Sequence, residues 1–321
     1  MRRGRTSYLV RRVLIVPPAL LAVLTATFVL IHLAPGTPIN ILAGEQSSAA
    51  YQAELTRKFG LDRPLPEQYA RYVETLGRAD LGASIVQGRP VGSLIAERVP
   101  ATLLLVVPAL LLSALIGIAT GALAARAGPV ADRLLIGASL LGQAIPVFVV
   151  GLLAILLFSV TLGQLPVVGM RDLRESYTGI DAILDVARHM ALPVATLALG
   201  HVAVMARLTR SGVREQLAQG YALTARAKGL REGQVIWRHI LRNAANPILT
   251  ALGNEAAVLL GGAVLTERIF GWPGLGQLTL ESALARDYPL LLGIVLLAAV
   301  TIMAINLVVD LLHPLVDPRL A

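Results

Sequence analysis

Six apolar runs constrain this chain before anything else does: Val13–Leu33, Ala101–Ala124, Arg133–Leu162, Met190–Leu208, Pro247–Leu265 and Pro289–Leu312. Each is about the length of helix that crosses a bilayer, roughly 20 residues. Lipid offers no partner to an exposed peptide group, so such runs fold as helices whose backbone is satisfied internally. The expected fold class is therefore all-α, a polytopic membrane protein with six transmembrane helices. A soluble domain is excluded by the same residues, since 55% of the chain is hydrophobic, only 15% is charged and the mean hydropathy is +0.70. Pro146 interrupts the third run and predicts a kink or break there. The first run has the basic flank of a signal peptide, but its apolar core exceeds the ~7–15 residues of such a segment. It also continues into His32–Pro38 instead of a small-residue cleavage site, so it reads as a retained span with Pro17 and Pro18 near its start.

Charge sets the orientation, because Lys and Arg accumulate on the cytoplasmic side. Residues 1–12, 125–133, 207–246 and 310–321 hold sixteen Lys or Arg against five Asp or Glu, whereas 34–100, 163–189 and 266–288 hold twelve against fourteen. Both termini are thus expected inside. The expected organisation is a cytoplasmic start and first span at 1–33, an outer region at 34–100, a transmembrane core at 101–312 with a cytoplasmic loop at 209–246, and a cytoplasmic tail at 313–321. Asn40–Pro100 is the only sizeable aqueous stretch. Its apolar residues keep helical spacing at Tyr51, Leu55 and Phe59 and again at Tyr69, Tyr72, Val73 and Leu76, which predicts two helices separated by a turn at Gly60–Pro66. Gly77–Pro90 reads as extended, and Val91, Leu94, Ile95 and Val99 predict a short amphipathic helix before the second span.

Much chemistry is missing. The chain has no cysteine, so it offers no disulfide or thiolate. His32, His189, His201, His239 and His313 fall in different segments with no metal-ligand spacing. No GxxxxGK[ST] loop is present to cradle ATP phosphates, and no nucleophile–base pattern points to catalysis. The pI near 10.4 comes from basic blocks between apolar runs, which fits membrane orientation and not nucleic acid. Inside the runs lie the polar residues Gln143, Asn254, Glu255 and Asn306, read as facing a translocation path. A carboxylate at a span centre costs at least ~2.5–3.5 kcal/mol, so Glu255 is expected to face a cavity or a partner.

Between the fourth and fifth runs lies Tyr221–Pro247, a basic island with a helical pattern on each side of Gly229. An Ala-rich turn ends at Lys228, and Trp237, Ile240, Leu241 and Ala244 repeat at i, i+3, i+4, i+7 in a helix from about Glu232. Arg231, Arg238 and Arg242 fall on one side of it. This segment resembles the cytoplasmic, EAA-type coupling loop of importer permeases of the ATP-binding-cassette (ABC) class, in the dipeptide, oligopeptide and nickel branch. Ile31–Pro38 (IHLAPGTP), Gly60–Tyr69 (GLDRPLPEQY), Pro90–Leu103 (PVGSLIAERVPATL) and Gly261–Gly276 (GGAVLTERIFGWPGLG) are similar to the same branch, so the likeness runs from the first span to the last. Leu223 stands where the signature's glutamate would, followed by Thr224 and Ala225, and Pro247 lies farther from Gly229 than in sugar importers. The peptide branch is similar in both respects.

The resemblance implies a MetI-like permease fold with a small extracytoplasmic insertion between the first two spans, in the plasma (inner) membrane of a bacterium or archaeon. It implies half of the path of an ATP-driven importer for peptides or a similar small solute. The implied partners are a second permease subunit (a paralogue or a copy), two nucleotide-binding ATPase subunits that carry ATP and Mg, and an extracytoplasmic substrate-binding protein. No cofactor is expected on this chain itself. The coupling residues it implies are Leu223, Thr224, Ala225, Arg226, Ala227, Lys228, Gly229, Leu230 and Arg231. Trp272, Pro273 and Gly274, in the last outer loop, read as a binding-protein contact. Two readings of a different class are a self-contained secondary transporter or channel, which calls for inverted repeats or several buried charges, and a membrane-anchored scaffold.

Overall fold

The computed structural model describes residues 2–33, 36–43 and 47–316. Ala34 and Pro35, inside the Ile31–Pro38 motif, lie outside the described residues, as does most of the 313–321 tail. The regular elements are helices: α1 (Arg2–Leu33), α2 (Pro38–Ala43), α3 (Ala49–Lys58), α4 (Leu65–Gly77), α5 (Val91–Arg126), α6 (Pro129–Ala144), α7 (Val147–Ala154), α8 (Ile180–Leu217), α9 (Gly220–Ala227), α10 (Glu232–Gln234), α11 (Leu241–Asn243), α12 (Ala245–Ile269), α13 (Leu275–Leu284) and α14 (Tyr288–Val316). π-helical turns follow α7 at Ile155–Thr161 and join α10 to α11 at Val235–Ile240. Ala83 and Pro90 form an isolated antiparallel bridge.

Helices α1, α5, α8 and α14 each contain a stretch long and apolar enough to cross a membrane. Two bent pairs would each add one more span: α6 with α7 and its π turn, and the two parts of α12 on either side of Gly262, which meet at 45°. The expected break at Pro146 is there, as a 91° bend. Ile145 and Pro146 are both extended, with ψ of 128° and 135°, because the residue before a proline is pushed out of the helical region. Other boundaries differ from expectation. Helix α1 starts at Arg2, so Pro17 and Pro18 lie inside it. No separate amphipathic helix precedes the second span: α5 runs unbroken from Val91 through Pro100. Helix α8 extends past the expected Met190–Leu208 at both ends, because charged turns continue the same helical register.

The described chain forms two compact units. The first joins the residues up to Ala101 with Pro273–Met303. Here Val91, Leu94 and Ile95 of α5 pack with Leu278 of α13 and with Leu290 and Ile294 of α14. A second cluster sets Leu24 and Phe28 of α1 and Leu292 of α14 against Tyr69, Tyr72, Val73 and Leu76, the α4 face expected from its spacing. Pro64 and Pro66 open α4, where a missing N–H leaves no bond unmade. The stretch expected to be extended is instead a turn pinned by Asp287, which is 1% exposed. Its carboxylate accepts from the Ser84 hydroxyl, from Ile85 N–H at 3.1 Å and from Val86 N–H at 3.3 Å.

The second unit comprises Thr102–Trp272 and the described residues from Ala304. Helix α8 is its axis and packs against α6, α7 and α12. It also meets α5 at Gly117 and Gly121, spaced as a small-xxx-small pair. A Cβ added at Gly117 would sit 2.9 Å from Val202 O, and one at Gly121 would sit 2.8 Å from Thr209 Cβ and 2.9 Å from Arg210 N. No side chain fits between these backbones. Gly121→Leu is therefore expected to destabilise the detergent-solubilised chain by about 1–3 kcal/mol, seen as a lowered melting temperature. Gly137→Ala, whose added methyl meets nothing within 4 Å, should change it by less than about 0.5 kcal/mol. Equal melting of the two variants would contradict the close seam.

Candidate functional site

The basic island folds as a clasped hairpin. Helix α9 ends in a Schellman turn: Leu230 N–H donates to Ala225 O and Gly229 N–H to Arg226 O at 2.9 Å, with Gly229 at φ +81°. Only glycine holds that φ without strain, and the space around its Cα is open, so conformation and not crowding selects it. Across the turn Arg226 binds Glu232 through both nitrogens, Nε to Oε2 at 3.0 Å and Nη2 to Oε1 at 2.7 Å. This paired geometry holds the Glu232 carboxyl below its ordinary range and raises the Arg226 guanidinium. Inside the hairpin, Ala222 and Ala225 of α9 pack with Val213 of α8 and with Val235 and Ile240 of the π turn.

The nine expected coupling residues are thus contiguous but do not share one face. Ala225 is buried in the chain's own core, so its methyl is not a contact surface for a partner. Leu223 is 64% exposed, and Thr224, Arg226, Ala227, Lys228, Gly229 and Arg231 are exposed with it, while Leu230 is half-buried. The apolar repeat of Trp237, Ile240, Leu241 and Ala244 does not form a single buried stripe. The π turn inserts an extra residue per ring and rotates the face, so Val235, Ile236, Ile240 and Ala244 go inside and Trp237 is left 61% exposed.

The four residues read as facing a path have different surroundings. Glu255, 8% exposed, bonds His201 Nδ1 of α8 through Oε2. Gln143 is exposed and accepts from Arg207 Nη1 at 2.9 Å. Asn254 is exposed and Asn306 half-buried, and among the described residues no hydrogen bond joins any two of the four. Two further buried carboxylates escaped notice in the sequence. Asp132 of α6 accepts from Arg210 Nη2 at 2.6 Å and from Arg214 Nη2 at 2.9 Å. Glu267 of α12, wholly buried, accepts from Thr102 of α5 at 2.7 Å. Trp272, Pro273 and Gly274, read as a binding-protein contact, lie largely inside the fold. Gly271, at φ +57°, turns the chain so that Trp272 N–H caps Glu267 O at 2.8 Å and the indole is 0% exposed; Gly274 is buried and Pro273 half-buried.

Apolar helices with paired internal charges, joined by a clasped hairpin with an exposed apolar face, define a transmembrane permease. Residues 117–321 match the family described as binding-protein-dependent transport system inner membrane component, and residues 5–106 match the description of its N-terminal part. The chain belongs to that family. It is 40% identical to a di/tripeptide transport system permease protein of Pseudomonas aeruginosa over 98% of both chains. It is 38% identical to an oligopeptide transport system permease protein of Bacillus subtilis, over 98% of this chain and 99% of the relative, and 38% identical to a glutathione transport system permease protein of Salmonella paratyphi A, over 98% of each. Among solved structures it is similar to the MetNI methionine ABC transporter, with a TM-score of 0.56 at 18% identity over 70% of this chain and 96% of that one, which supports the MetI-like fold. The chain is thus a permease subunit of an ABC importer of the peptide branch.

The clasp has a pH signature of definite sign. A carboxyl whose folded-state pKa is depressed contributes stability that is complete above its unfolded pKa and is lost as pH falls through the folded value. Protection of the 220–234 amides from hydrogen exchange is therefore expected to persist from neutral pH through the ordinary Glu value of 4.5 and to fall below it. Glu232→Gln should lower protection at neutral pH and remove this dependence. A Glu232→Gln variant with wild-type protection throughout would contradict the clasp.

Proposed function

We propose that the clasped hairpin seats this permease in a nucleotide-binding ATPase subunit, and that two such permeases enclose a path for a peptide or an amide of similar size. ATP and Mg bind the ATPase subunits in this reading, and this chain hydrolyses nothing. A substrate-binding protein delivers cargo on the side opposite the hairpin. The names of the relatives support the cargo class, and the exposed hairpin face supports the coupling. The observation that carries the proposal is the exposure of Leu223 and Trp237, two large apolar side chains on a hairpin that also exposes Lys228, Arg231 and Arg238 and buries Ala222, Ala225, Val235 and Ile240. Exposed apolar anchors among cations suit a groove on a partner, since a few buried apolar anchors carry most of an interface's affinity.

The test separates the outer face from the inner one. Leu223→Ser and Trp237→Ser should leave the melting temperature of the isolated permease unchanged, yet reduce ATPase-subunit capture and uptake in reconstituted vesicles by about tenfold, the equivalent of ~1.4 kcal/mol. Ala225→Asp should instead lower the melting temperature, because it places a carboxylate against Val213 and Val235. Wild-type capture and uptake with both serine variants would refute the seating.

Six spans with both termini and the hairpin on the cytoplasmic side complete the proposal, on the strength of the charge asymmetry. With no native cysteine, single cysteines at exposed Ala53 and exposed Gln219 report orientation cleanly. In intact cells an impermeant maleimide should label the first and not the second. The reverse pattern would invert the topology.

A further inference from the structure

Helix α13 ends in a Schellman turn like that of α9, but with an arginine where α9 has Gly229. Asp287 N–H donates to Ser282 O at 2.9 Å and Arg286 N–H to Ala283 O at 3.2 Å, with Arg286 at φ +55°. Turns with the same pair of bonds close α3, α9 and α12, and there the left-handed position is held by Gly60, Gly229 and Gly271; after α4 it is held by Ala79. Among the described residues Arg286 is the only side chain larger than a methyl group in that conformation. A long side chain strains the backbone there as glycine would not, and such strain gathers at functional positions.

Packing within the first unit holds this side chain without using its charge. A Cβ added at Gly36 would sit 3.0 Å from both Cζ and Nε of Arg286 and 3.3 Å from Nη2. An approach in the guanidinium plane would meet the outer nitrogens well before the central carbon, so Gly36 lies over the flat face and the N–H edge is left open. Among the described residues that edge makes no hydrogen bond and no ion pair. Arg286 is half-buried, and its nitrogens are not sealed from solvent. Its neighbours are fixed: Asp287 is engaged by Ser84, Ile85 and Val86, and Tyr288 Oη donates to Gly36 O at 3.2 Å. The fork is thus oriented before any ligand arrives, and its planar donors match the two oxygens of a carboxylate. Close by in the chain, Leu284 is 71% exposed.

Segment 266–288 falls on the outer side by the charge asymmetry, the side on which cargo is delivered. A mobile lipid headgroup would be met as well by a flexible side chain on a relaxed backbone. A fork fixed in place suits a carboxylate that is itself fixed on a folded partner, and a preoriented arginine beside an exposed apolar residue is the make-up of an interface hot spot. We propose that Arg286, with Leu284, receives an acidic side chain of the substrate-binding protein, which makes the α13–α14 turn a docking point on the outer side. The inference rests on the delivery by a binding protein proposed above.

The test uses the assembled importer, permeases with ATPase subunits, in phosphatidylcholine vesicles, and titrates it with purified binding protein loaded with dialanine. The ATPase rate gives the half-stimulating concentration of binding protein. Arg286→Gln and Arg286→Gly should each raise it about tenfold or more, and Arg286→Lys, which keeps the charge without the fork, should raise it less. Arg286→Gly also relieves the backbone, so a loss there at an unchanged melting temperature does not come from a distorted turn. Arg78→Gln, at an exposed outer residue paired with Glu74, should leave the value unchanged. Wild-type half-stimulation in both the Gln and the Gly variants would leave Arg286 as a cover for Gly36 and overturn the proposal. If dialanine uptake at saturating binding protein then fell, the carboxylate would belong to the cargo. A defect seen only in vesicles containing phosphatidylglycerol would assign the fork to a headgroup and overturn docking equally. No stimulation of the wild-type assembly would overturn delivery by a binding protein, and this inference with it.

Discussion

Backbone meets backbone where Gly117 and Gly121 of α5 lie against Val202, Thr209 and Arg210 of α8, and the second unit depends on that seam. Helices in lipid gain little by hiding apolar side chains from one another, since lipid tails are as apolar as leucine. Association rests instead on short-range contact and on polar pairs. Ala203 and Ala206, both wholly buried, supply small residues from the α8 side. Once the seam sets the rotation of α8, its other positions are assigned: His201 meets α12, while Arg207, Arg210 and Arg214 meet α6. The seam is built from small residues, yet it fixes where the side chains of His201, Arg207, Arg210 and Arg214 find their polar partners.

The length of α8 carries the consequence further. At 1.5 Å per residue its 38 residues extend about 57 Å, nearly twice the ~30 Å of a hydrocarbon core. The surplus holds the arginines at 207, 210 and 214, and two of them share the single carboxylate of Asp132, which leaves that cluster with one positive charge in excess. Gln143 takes the third. The end of α8 leads directly into α9, so the hairpin is joined to a helix that is itself anchored along its length. Movement imposed on Leu223 or Trp237 would pass to α8 through Val213 and Ala222, which share one buried cluster.

The long apolar helices were legible because their signal is compositional: a long apolar run survives any error in register. The break at Pro146 was equally legible, since Pro146 acts through its own ring and needs no partner. Features set by register or by distant contacts were not. Which side chains of the 235–244 segment go inside was not legible, because a π turn is absent from a 3.6-residue template and nothing in VIWRHI announces one. Trp272 sits among glycines and a proline, which reads as an exposed loop, but the Gly271 turn buries it. Asp287 and Ser84 are 203 positions apart, and their hydrogen bond is what makes a turn out of a stretch that looks extended. Within the candidate site the Schellman glycine was visible as a break in the helical pattern, whereas the Arg226–Glu232 clasp needed the turn to be known first.

Glu255 is the acidic residue near the centre of an expected span, Asp310 lying at the end of another, and on sequence grounds it was read as facing the translocation path, where it would attract cationic cargo. Its geometry argues otherwise. The carboxylate is buried and engaged by His201, so an approaching cation would compete with a partner already in place. The contact with His201 gives the carboxyl a partner, and so offsets the desolvation cost that an isolated carboxylate would meet at that depth. Its contribution is therefore to hold α12 against α8, with the direction of a hydrogen bond where apolar contact alone would let the helices slide. Selection of cargo by charge has to come from groups that are not already paired. Within α12 the adjacent residue, Asn254, is uncharged and exposed, which leaves it available to hydrogen-bond an amide.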